Sequence, residues 1–344
     1  MLDLPILDAH VHVWDPRTTP RTVTPAVRLF GFSPTLLGRL APVLFPRAAL
    51  AFVGSPRYVL APFMPADHRQ EHGSADVRGF IHIEAAWKRR NPMRFVEETE
   101  WLESLGDPGL RGIVGQADLA HPQLDALLDA HAAASPRFVG VRDKVAFSPD
   151  PGVMSWCKDG SRMANPAWRR GFARLGERGL TFDAWCYAEQ LPDLIDLVRA
   201  VPGTRVVLDH LGTPVDLFAS GGRSGSDPAW HDDLARLAEH PQVHAKISGM
   251  LMPVLGAGLH KFEQLASVDE VVDRLGPHVA HALRVFGPGR CIFASNFPMD
   301  RVSVTWATLY AGYDQLTAGL SRPEREAAFQ GNAISFYRLP TPSP

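Results

Sequence analysis

Two histidines near the amino terminus, His10 and His12, are the first residues whose types and spacing suggest catalysis. They lie in the apolar, β-branched stretch Ile6–Val13, which predicts a strand. Alternate residues of a strand point to the same face, so the two imidazoles are expected side by side, about 7 Å apart along the backbone. Such a pair can bind a metal ion, a carboxylate or a carbonyl oxygen, or serve as a hydrogen-bonded structural pair. Trp14 follows where the strand ends and is a candidate substrate-binding residue.

Further polar residues follow other apolar stretches. His210 ends such a stretch and, with His10 and His12, completes a candidate three-imidazole cluster. Asn296 comes after the last apolar stretch, and its amide can orient water or substrate but cannot act as a base. Asp300 lies four residues later. Its carboxylate either returns to the same place or is solvated.

A second group of candidates carries charge or a polar ring. His82 and Glu84 have the spacing of residues on one face of a strand, and a buried carboxylate there must be paired or functional. Arg142 could hold a substrate carboxylate through two hydrogen bonds, or it could neutralise Glu84. Tyr187 and Lys246, at or near the ends of two other stretches, are additional candidates for substrate binding.

The elements that must position these residues are short apolar stretches that alternate with helical patterns, which predicts parallel βαβ units. Eight strands are predicted, at Ile6–Val13, Gly79–Ala85, Leu110–Gln116, Phe138–Arg142, Thr181–Tyr187, Arg205–His210, Val243–Ser248 and Cys291–Asn296. Apolar residues at helical spacing predict helices at Met93–Leu105, Gln123–Ala134, Ala167–Arg178, Leu191–Val201, Ala229–Glu239, Val268–Phe286 and Arg322–Tyr337. We therefore predict an α/β fold, a (β/α)₈ barrel of the TIM type, whose active site lies at the carboxyl ends of the strands.

One domain is predicted over residues 1–344, with a long insertion at 16–76 after the first strand. Insertions at this end of a barrel usually form a lid or a substrate wall. Its aromatic residues, which suggest an apolar wall, are Phe30, Phe32, Phe45, Phe52, Tyr58 and Phe63. A second irregular segment, Asp216–Ser226, ends in a glycine- and serine-rich run and is expected to be a mobile loop.

Composition narrows the class of protein. The 344 residues carry a formal net charge of −2, so no basic face for nucleic acid or an anionic membrane is expected. No stretch approaches the roughly 18 apolar residues of a membrane span, and no signal peptide is found. Three scattered cysteines suit a reducing compartment, so a cytoplasmic protein is expected. The expected partner is a small-molecule substrate, and association into a homo-oligomer stays open.

In its ordered series of motifs the chain resembles the amidohydrolase superfamily, in particular the branch called amidohydrolase-2. The motifs are Asp8-Ala-His10-Val-His12-Val-Trp14, Ile81-His-Ile-Glu84, Phe182-Asp-Ala-Trp-Cys-Tyr187, Leu208-Asp-His210-Leu-Gly212, Lys246-Ile-Ser-Gly249 and Phe293-Ala-Ser-Asn-Phe-Pro298. Within that branch the chain looks most like hydrolases of pyrone dicarboxylates, muconolactones and sugar lactones. The resemblance implies hydrolysis of an ester or lactone C–O bond by an activated water. It also implies that His10, His12 and His210 polarise the carbonyl group or hold one Zn²⁺, while some members work without metal.

The chain departs from the family pattern at Asn296, where many relatives carry the aspartate that takes a proton from water. Another base is then required. We expect Asp300 to be this base, with Glu84 as the second choice. A water molecule on one zinc ion, with its pKa lowered towards about 7, would demand less of the base.

Two alternatives to a lactone or ester hydrolase follow from the same residues. Some members of the branch are metal-dependent decarboxylases, but His10, His12 and Asn296 do not match their usual motifs. A non-catalytic binding barrel is the other alternative, suggested by the missing aspartate. Arg142 and Lys246 hint at a carboxylated substrate, although each could instead neutralise Glu84.

Overall fold

Eight parallel strands follow one another in chain order around a single sheet. The structure is a computed structural model, which describes residues 3–30, 34–219, 228–261 and 264–340. Within those residues the strands are β1 Ile6–Val11, β2 Val77–Ile83, β3 Leu110–Gln116, β4 Phe138–Arg142, β5 Thr181–Ala184, β6 Arg205–Leu208, β7 Val243–Ile247 and β8 Cys291–Phe293. Every neighbouring pair from β1 to β8 is parallel, so the prediction of a (β/α)₈ barrel is confirmed.

Helices fill the intervals between the strands. In the described part of the chain they are α1 Thr24–Phe30, α2 Pro34–Leu44, α3 Arg47–Val53, α4 Pro56–Leu60, α5 Pro65–Glu71, α6 Val96–Ser104, α7 Leu124–Ala134, α8 Pro166–Glu177, α9 Leu191–Ala200, α10 Pro228–Ala238, α11 Val268–Phe286, α12 Trp306–Leu316, α13 Arg322–Glu326 and α14 Asn332–Tyr337. The sequence analysis placed no helix at α12. None of the described helices has both the length and the apolar character needed to cross a bilayer.

Closure of the barrel depends on residues just beyond β8. The backbone N–H of Asn296 donates to the carbonyl of His10 at 2.9 Å, and the N–H of His12 donates to the carbonyl of Phe297 at 2.8 Å. These two bonds join the last strand to the first at the carboxyl end of the barrel. The candidate site residues are therefore also part of the seam that closes the sheet.

The side of β1 that faces the barrel interior changes partway along the strand. Leu7 and Ala9 pack in one apolar cluster with inward residues of other strands, such as Val207. The pairing of β1 with β2 shifts between Asp8 and Val11. A bulge of this kind re-aims the side chains that follow. It allows His10 to point inward directly after Ala9.

The carboxyl-terminal helix α14 packs against this inner cluster. Phe336 and Tyr337 join it together with Leu7 of β1 and Ile292 of β8. The ring of Tyr337 is buried, and its hydroxyl reaches polar residues inside the barrel.

Helices α1–α5 lie between β1 and β2, within the predicted insertion at 16–76. Asp8 of β1 holds this segment, since its carboxylate accepts from His68 Nε2 of α5 at 3.0 Å. The same carboxylate accepts from the Ser295 N–H at 2.9 Å and from the Trp306 indole N–H at 2.9 Å. Hydrogen bonds hold the pKa of Asp8 below its usual value despite the opposing effect of burial. Asp8 therefore joins β1, α5, α12 and the end of β8.

We expect Asp8→Asn to lower the free energy of unfolding by about 2–3 kcal/mol, because a buried ionised acceptor of three hydrogen bonds is replaced by a neutral amide. Urea denaturation at neutral pH measures the change. The control is Asp3→Asn, whose side chain is fully exposed and lies 3.8 Å from Arg322. Equal stability of the two variants would contradict the role given to Asp8.

Candidate active site

A narrow cavity of about 50 Å³ opens at the carboxyl ends of the strands. Three predicted site residues in its wall come from β1 and the segments after β6 and β8: His12, His210 and Asn296. Glu84, Arg142 and Trp14 also line it, and the remaining wall residues include Arg21, Phe52, Trp156, Trp185, Met252 and Met299. The cavity lies where a barrel of this type carries its active site.

Three imidazole rings form a compact group, of which His12 and His210 line this cavity. The ring centroid of His10 lies 5.0 Å from that of His12 and 4.5 Å from that of His210. All three side chains are buried. The structure thus brings together the three histidines that the sequence analysis assigned to one cluster.

Each imidazole has one ring nitrogen near a polar atom of the protein. His12 Nδ1 lies 2.9 Å from the carbonyl oxygen of Ile83, so this nitrogen carries the proton and Nε2 keeps its lone pair. His210 Nδ1 lies 2.9 Å from the hydroxyl of Ser248. His10 Nε2 is buried and has no hydrogen-bond partner among the described residues.

Burial keeps all three imidazoles neutral. Desolvation lowers the pKa of His210 to about 4. The same cause lowers the pKa of His10 and of His12 well below the usual value. Neutral imidazoles can accept a hydrogen bond or bind a cation through their free nitrogen.

The backbone at His210 is held in an unusual conformation. His210 and Leu211 have φ values of 56° and 50°, in the left-handed region that such residues seldom adopt. Across from them, Gly249 also has a positive φ, of 64°, and a Cβ there would lie 2.4 Å from His210 Nδ1. The position requires glycine both for its conformation and for the close approach of the imidazole. Strain of this kind clusters at functional sites.

Beneath the imidazoles lies a buried charge cluster centred on Lys246. Its ammonium group lies 2.7 Å from Asp183 Oδ2, 3.0 Å from Asp209 Oδ1 and 2.9 Å from the Tyr337 hydroxyl. The hydrogen bonds of this ammonium group go to Asp183, to Tyr337 and, at 3.3 Å, to His10 Nδ1, whereas Asp209 is its ion-pair partner. His10 Nδ1 also lies 3.4 Å from Asp209 Oδ1.

Lys246 does not line the cavity, so the structure does not place it as a substrate-binding residue. Its charge is compensated by two carboxylates that the sequence analysis missed. Burial raises the pKa of Asp183 to about 6, whereas the nearby ammonium group helps to hold the pKa of Asp209 well below its usual value. Both residues lie inside motifs that carry the family resemblance, and Asp209 directly precedes the predicted site residue His210.

Arg142 and Glu84 form a buried ion pair at the cavity wall. Arg142 donates to Glu84 Oε1 from Nε at 2.9 Å and to the Glu84 backbone carbonyl from Nη2 at 2.8 Å. The Ala86 N–H donates to Glu84 Oε2 at 2.8 Å. Arg142 thereby holds the pKa of Glu84 below its usual value against the effect of burial. The expectation that Arg142 neutralises Glu84 therefore describes the observed geometry.

Asn296 and Asp300 lie beside each other but differ in their access to the cavity. Asn296 lines the cavity, and both polar atoms of its amide are buried without a hydrogen-bond partner among the described residues. Asp300 is buried and does not line the cavity. Burial raises the pKa of Asp300 to about 8, although the nearby Asn296 amide opposes this rise. Asp300 is therefore mostly protonated at neutral pH, which does not favour its expected role as the base.

Two other predicted site residues lie away from the cavity. Inward-facing Ile81 and Ile83 flank His82, which instead points towards α6, with Nε2 3.4 Å from Glu98 Oε1. His82 and Glu84 thus do not share a face, because β2 ends at Ile83 and the chain turns. Tyr187 lies beyond the end of β5 and donates its hydroxyl to the Met154 carbonyl.

The predicted aromatic wall is present in part. Phe52 lines the cavity with Trp14, whose indole N–H donates to the Ala61 carbonyl at 2.9 Å. Phe63 is buried and pairs with the backbone of Trp14. Phe32 and the side chain of Phe30 lie outside the described residues, as does the Asp216–Ser226 loop from residue 220 onward.

The donor atoms of His10, Asp209 and His210 lie within 4.8 Å of one another, which is compatible with a metal ion. The unpartnered Nε2 of His10 and the neutral state of the imidazoles also fit such an ion. Asp209 thus takes a place in the possible ligand set that the sequence analysis gave to His12. The ammonium group of Lys246 already supplies one positive charge to Asp209.

A parallel eight-stranded barrel with buried histidines at its carboxyl end defines the class of (β/α)₈-barrel enzymes. The family can be stated as well. The amidohydrolase model Amidohydro_2 matches residues 7–339, and the chain therefore belongs to the amidohydrolase family.

Similar proteins cover most of the chain. The protein y4mH of Sinorhizobium fredii is 29% identical over 341 residues, 98% of this chain and 100% of its own. An L-fucono-1,5-lactonase of Burkholderia ambifaria is 29% identical over 235 residues, 67% of this chain and 71% of its own. A crystal structure of an amidohydrolase from Burkholderia multivorans with bound zinc has a TM-score of 0.71 and 20% identity, and covers 97% of this chain and 99% of that one. This last likeness shows the shared fold.

We expect Gly249→Ala to reduce kcat at least about 10-fold, because the new Cβ must displace the His210 ring and small misplacements of catalytic groups are costly. Steady-state kinetics on any hydrolysed substrate measures the effect. Gly319→Ala is the matched control, since a Cβ at that position meets no atom within 4 Å. Unchanged kcat in folded Gly249→Ala would contradict the positional role of His210.

Asp300→Asn tests the protonation state of this buried carboxyl group. The folded protein favours the neutral acid, so the wild type should lose stability as the pH rises from about 4 to about 8. The amide cannot ionise, and the stability of Asp300→Asn relative to the wild type should therefore increase by on the order of 3 kcal/mol between about pH 5 and pH 8. Urea denaturation at both pH values measures this difference, and we expect turnover to persist. Loss of turnover in the folded variant would restore Asp300 as the base.

Proposed function

We propose that this amidohydrolase hydrolyses the C–O bond of a small lactone or ester. One observation carries the proposal: three neutral, desolvated imidazoles form one group, of which His12 and His210 line the cavity, and the free Nε2 atom of His12 follows from its Nδ1 contact. The similarity to an L-fucono-1,5-lactonase supports the same class of reaction. The substrate is a small molecule, because the site is a narrow cavity rather than an extended groove.

The reaction needs a base, and Glu84 is the one that the geometry favours. Its carboxylate lines the cavity and is kept ionised by Arg142. Each carboxylate oxygen can accept a further hydrogen bond beside those from Arg142 and Ala86. Water would attack the carbonyl carbon while its proton passes to Glu84. The C–O bond then breaks, and the departing alkoxide takes up a proton to give a hydroxy acid.

Asn296 and the imidazoles would orient the reacting groups. The amide N–H of Asn296 can donate to the carbonyl oxygen, on which negative charge develops during attack. The free Nε2 atom of His12 can accept from the attacking water or bind a cation. The buried, water-poor surroundings strengthen each of these interactions.

A zinc ion fits the same residues. His10 and His210, with Asp209 or His12 as the third ligand, would hold it, and the bound ion would polarise the carbonyl group or lower the pKa of a water molecule. We further propose that the protein works in a reducing compartment such as the cytoplasm. The free cysteines Cys157, Cys186 and Cys291 support this.

We expect His12→Asn and His210→Asn each to lower kcat/KM for a lactone by roughly 100-fold or more, because each removes a group that contacts reacting atoms. Proton release on a panel of γ- and δ-lactones, aryl esters and amides measures turnover, with chelator or added zinc. His121→Asn, on a partly buried loop residue remote from the cavity, is the control.

Full activity in folded His12→Asn would contradict the proposed site. Release of CO₂ from a carboxylated substrate, without acid release from its lactone analogue, would instead establish a decarboxylase. Ligand binding without turnover on the whole panel, with and without zinc, would indicate a non-catalytic barrel.

A further inference from the structure

Arg21 is a cation at the cavity that forms no ion pair with any residue that the structure describes, and it is placed there by the segment between β1 and α1. It lines the cavity, and its guanidinium carbon lies 3.8 Å from the centroid of the Trp14 ring. Its Nη1 atom is buried and has no hydrogen-bond partner within the described part of the chain. A buried guanidinium nitrogen without an acceptor is costly, unless a ligand supplies the acceptor.

The other cations near the site are already compensated. Arg142 is bonded to Glu84, and Lys246 lies between Asp183 and Asp209. Both charges are therefore already balanced by carboxylates. Arg21 stays charged at neutral pH, because burial lowers its pKa only to about 10.

The backbone around Arg21 is fixed in place. The Arg21 N–H donates to Thr24 Oγ1 at 2.9 Å, and this hydroxyl donates to the Thr19 carbonyl at 2.7 Å. The Pro20 carbonyl accepts from the Lys88 N–H at 2.6 Å, which ties the segment to the chain after β2. Stacking on Trp14 then fixes the plane of the guanidinium group. A donor arranged in this way loses little freedom when it binds.

An outer pocket of about 560 Å³ shares Arg21 with the cavity. Its charged lining residues are all cationic: Arg21, Arg28, Lys88 and Arg89. Arg89 is paired with Glu97, while Lys88 is exposed. A passage lined by one sign of charge raises the local concentration of ligands of the opposite sign.

We propose that Arg21 binds a carboxylate substituent of the substrate, and that the substrate is therefore an anionic lactone or ester. This inference rests on the proposed hydrolase function and adds the chemical feature by which the enzyme would select its substrate. The planar guanidinium group presents paired N–H donors that match the two oxygens of a carboxylate. The residue that selects the substrate thus comes from the segment after β1, while the reacting groups come from the strand ends.

The test compares a γ-lactone that carries a carboxylate with its methyl ester, in the wild type, Arg21→Gln and Arg21→Lys. The ratio of kcat/KM for the carboxylate to that for the ester should fall about 10- to 100-fold in Arg21→Gln, mainly through KM. The ratio for Arg21→Lys should lie between those of the wild type and Arg21→Gln, since lysine keeps the charge but lacks the paired N–H donors of the guanidinium group. Arg47→Gln removes an exposed cation of the same insertion and should keep the wild-type ratio.

A binding measurement separates this inference from the proposed function. Calorimetry with pyroglutamate, a lactam carboxylate, and with its amide needs no turnover. The wild type should prefer the carboxylate about 10-fold or more, and Arg21→Gln should lose that preference. Equal binding of the two lactams by the wild type, or an unaltered preference in folded Arg21→Gln, overturns the role of Arg21. Failure of the wild type to hydrolyse either lactone, with the lactam preference intact, counts against the hydrolase function alone.

Discussion

The ion pairs of Lys246 inside the barrel are the interaction on which the site depends. A buried ammonium group is tolerated only when carboxylates surround it, and Asp183 of β5 and Asp209 at the end of β6 do so. His10 Nδ1 lies 3.3 Å from this ammonium group and 3.4 Å from Asp209. The position of the His10 ring is thus set by buried charged residues that do not line the cavity.

A second constraint is that the buried cations and carboxylates of the barrel balance one another's charge. Arg142 and Lys246 keep Glu84 and Asp209 ionised in a water-poor interior, and their own charges are balanced in this way. Under the proposed function, a positive charge that no carboxylate balances comes from outside the barrel strands. The segment that carries Arg21 lies before α1, and Asp8 holds the later part of the same insertion through His68. Recognition and reaction are then assigned to separate parts of the chain that share β1.

The strands and the histidine cluster could be predicted because both depend on local patterns. Eight apolar stretches and the placement of polar residues at their ends are visible without knowledge of contacts. The structure departs from the predicted placements where a strand ends or its alternation stops. His82 was assigned by a two-residue period and Tyr187 as the end of a predicted strand, but β5 ends at Ala184, and His82 faces the helices. The roles of Asp209 and Arg21 could not be inferred, since the first depends on partners from distant strands and the second on a missing partner.

Tyr337 couples α14 to the barrel interior. Its hydroxyl donates to Asp183 and accepts from Lys246, which lies beside His10 of β1. All eight strands are synthesised before α14, so the interior charges lack one of their partners until α14 has followed them. A nascent barrel is therefore electrostatically incomplete even after all eight strands have emerged.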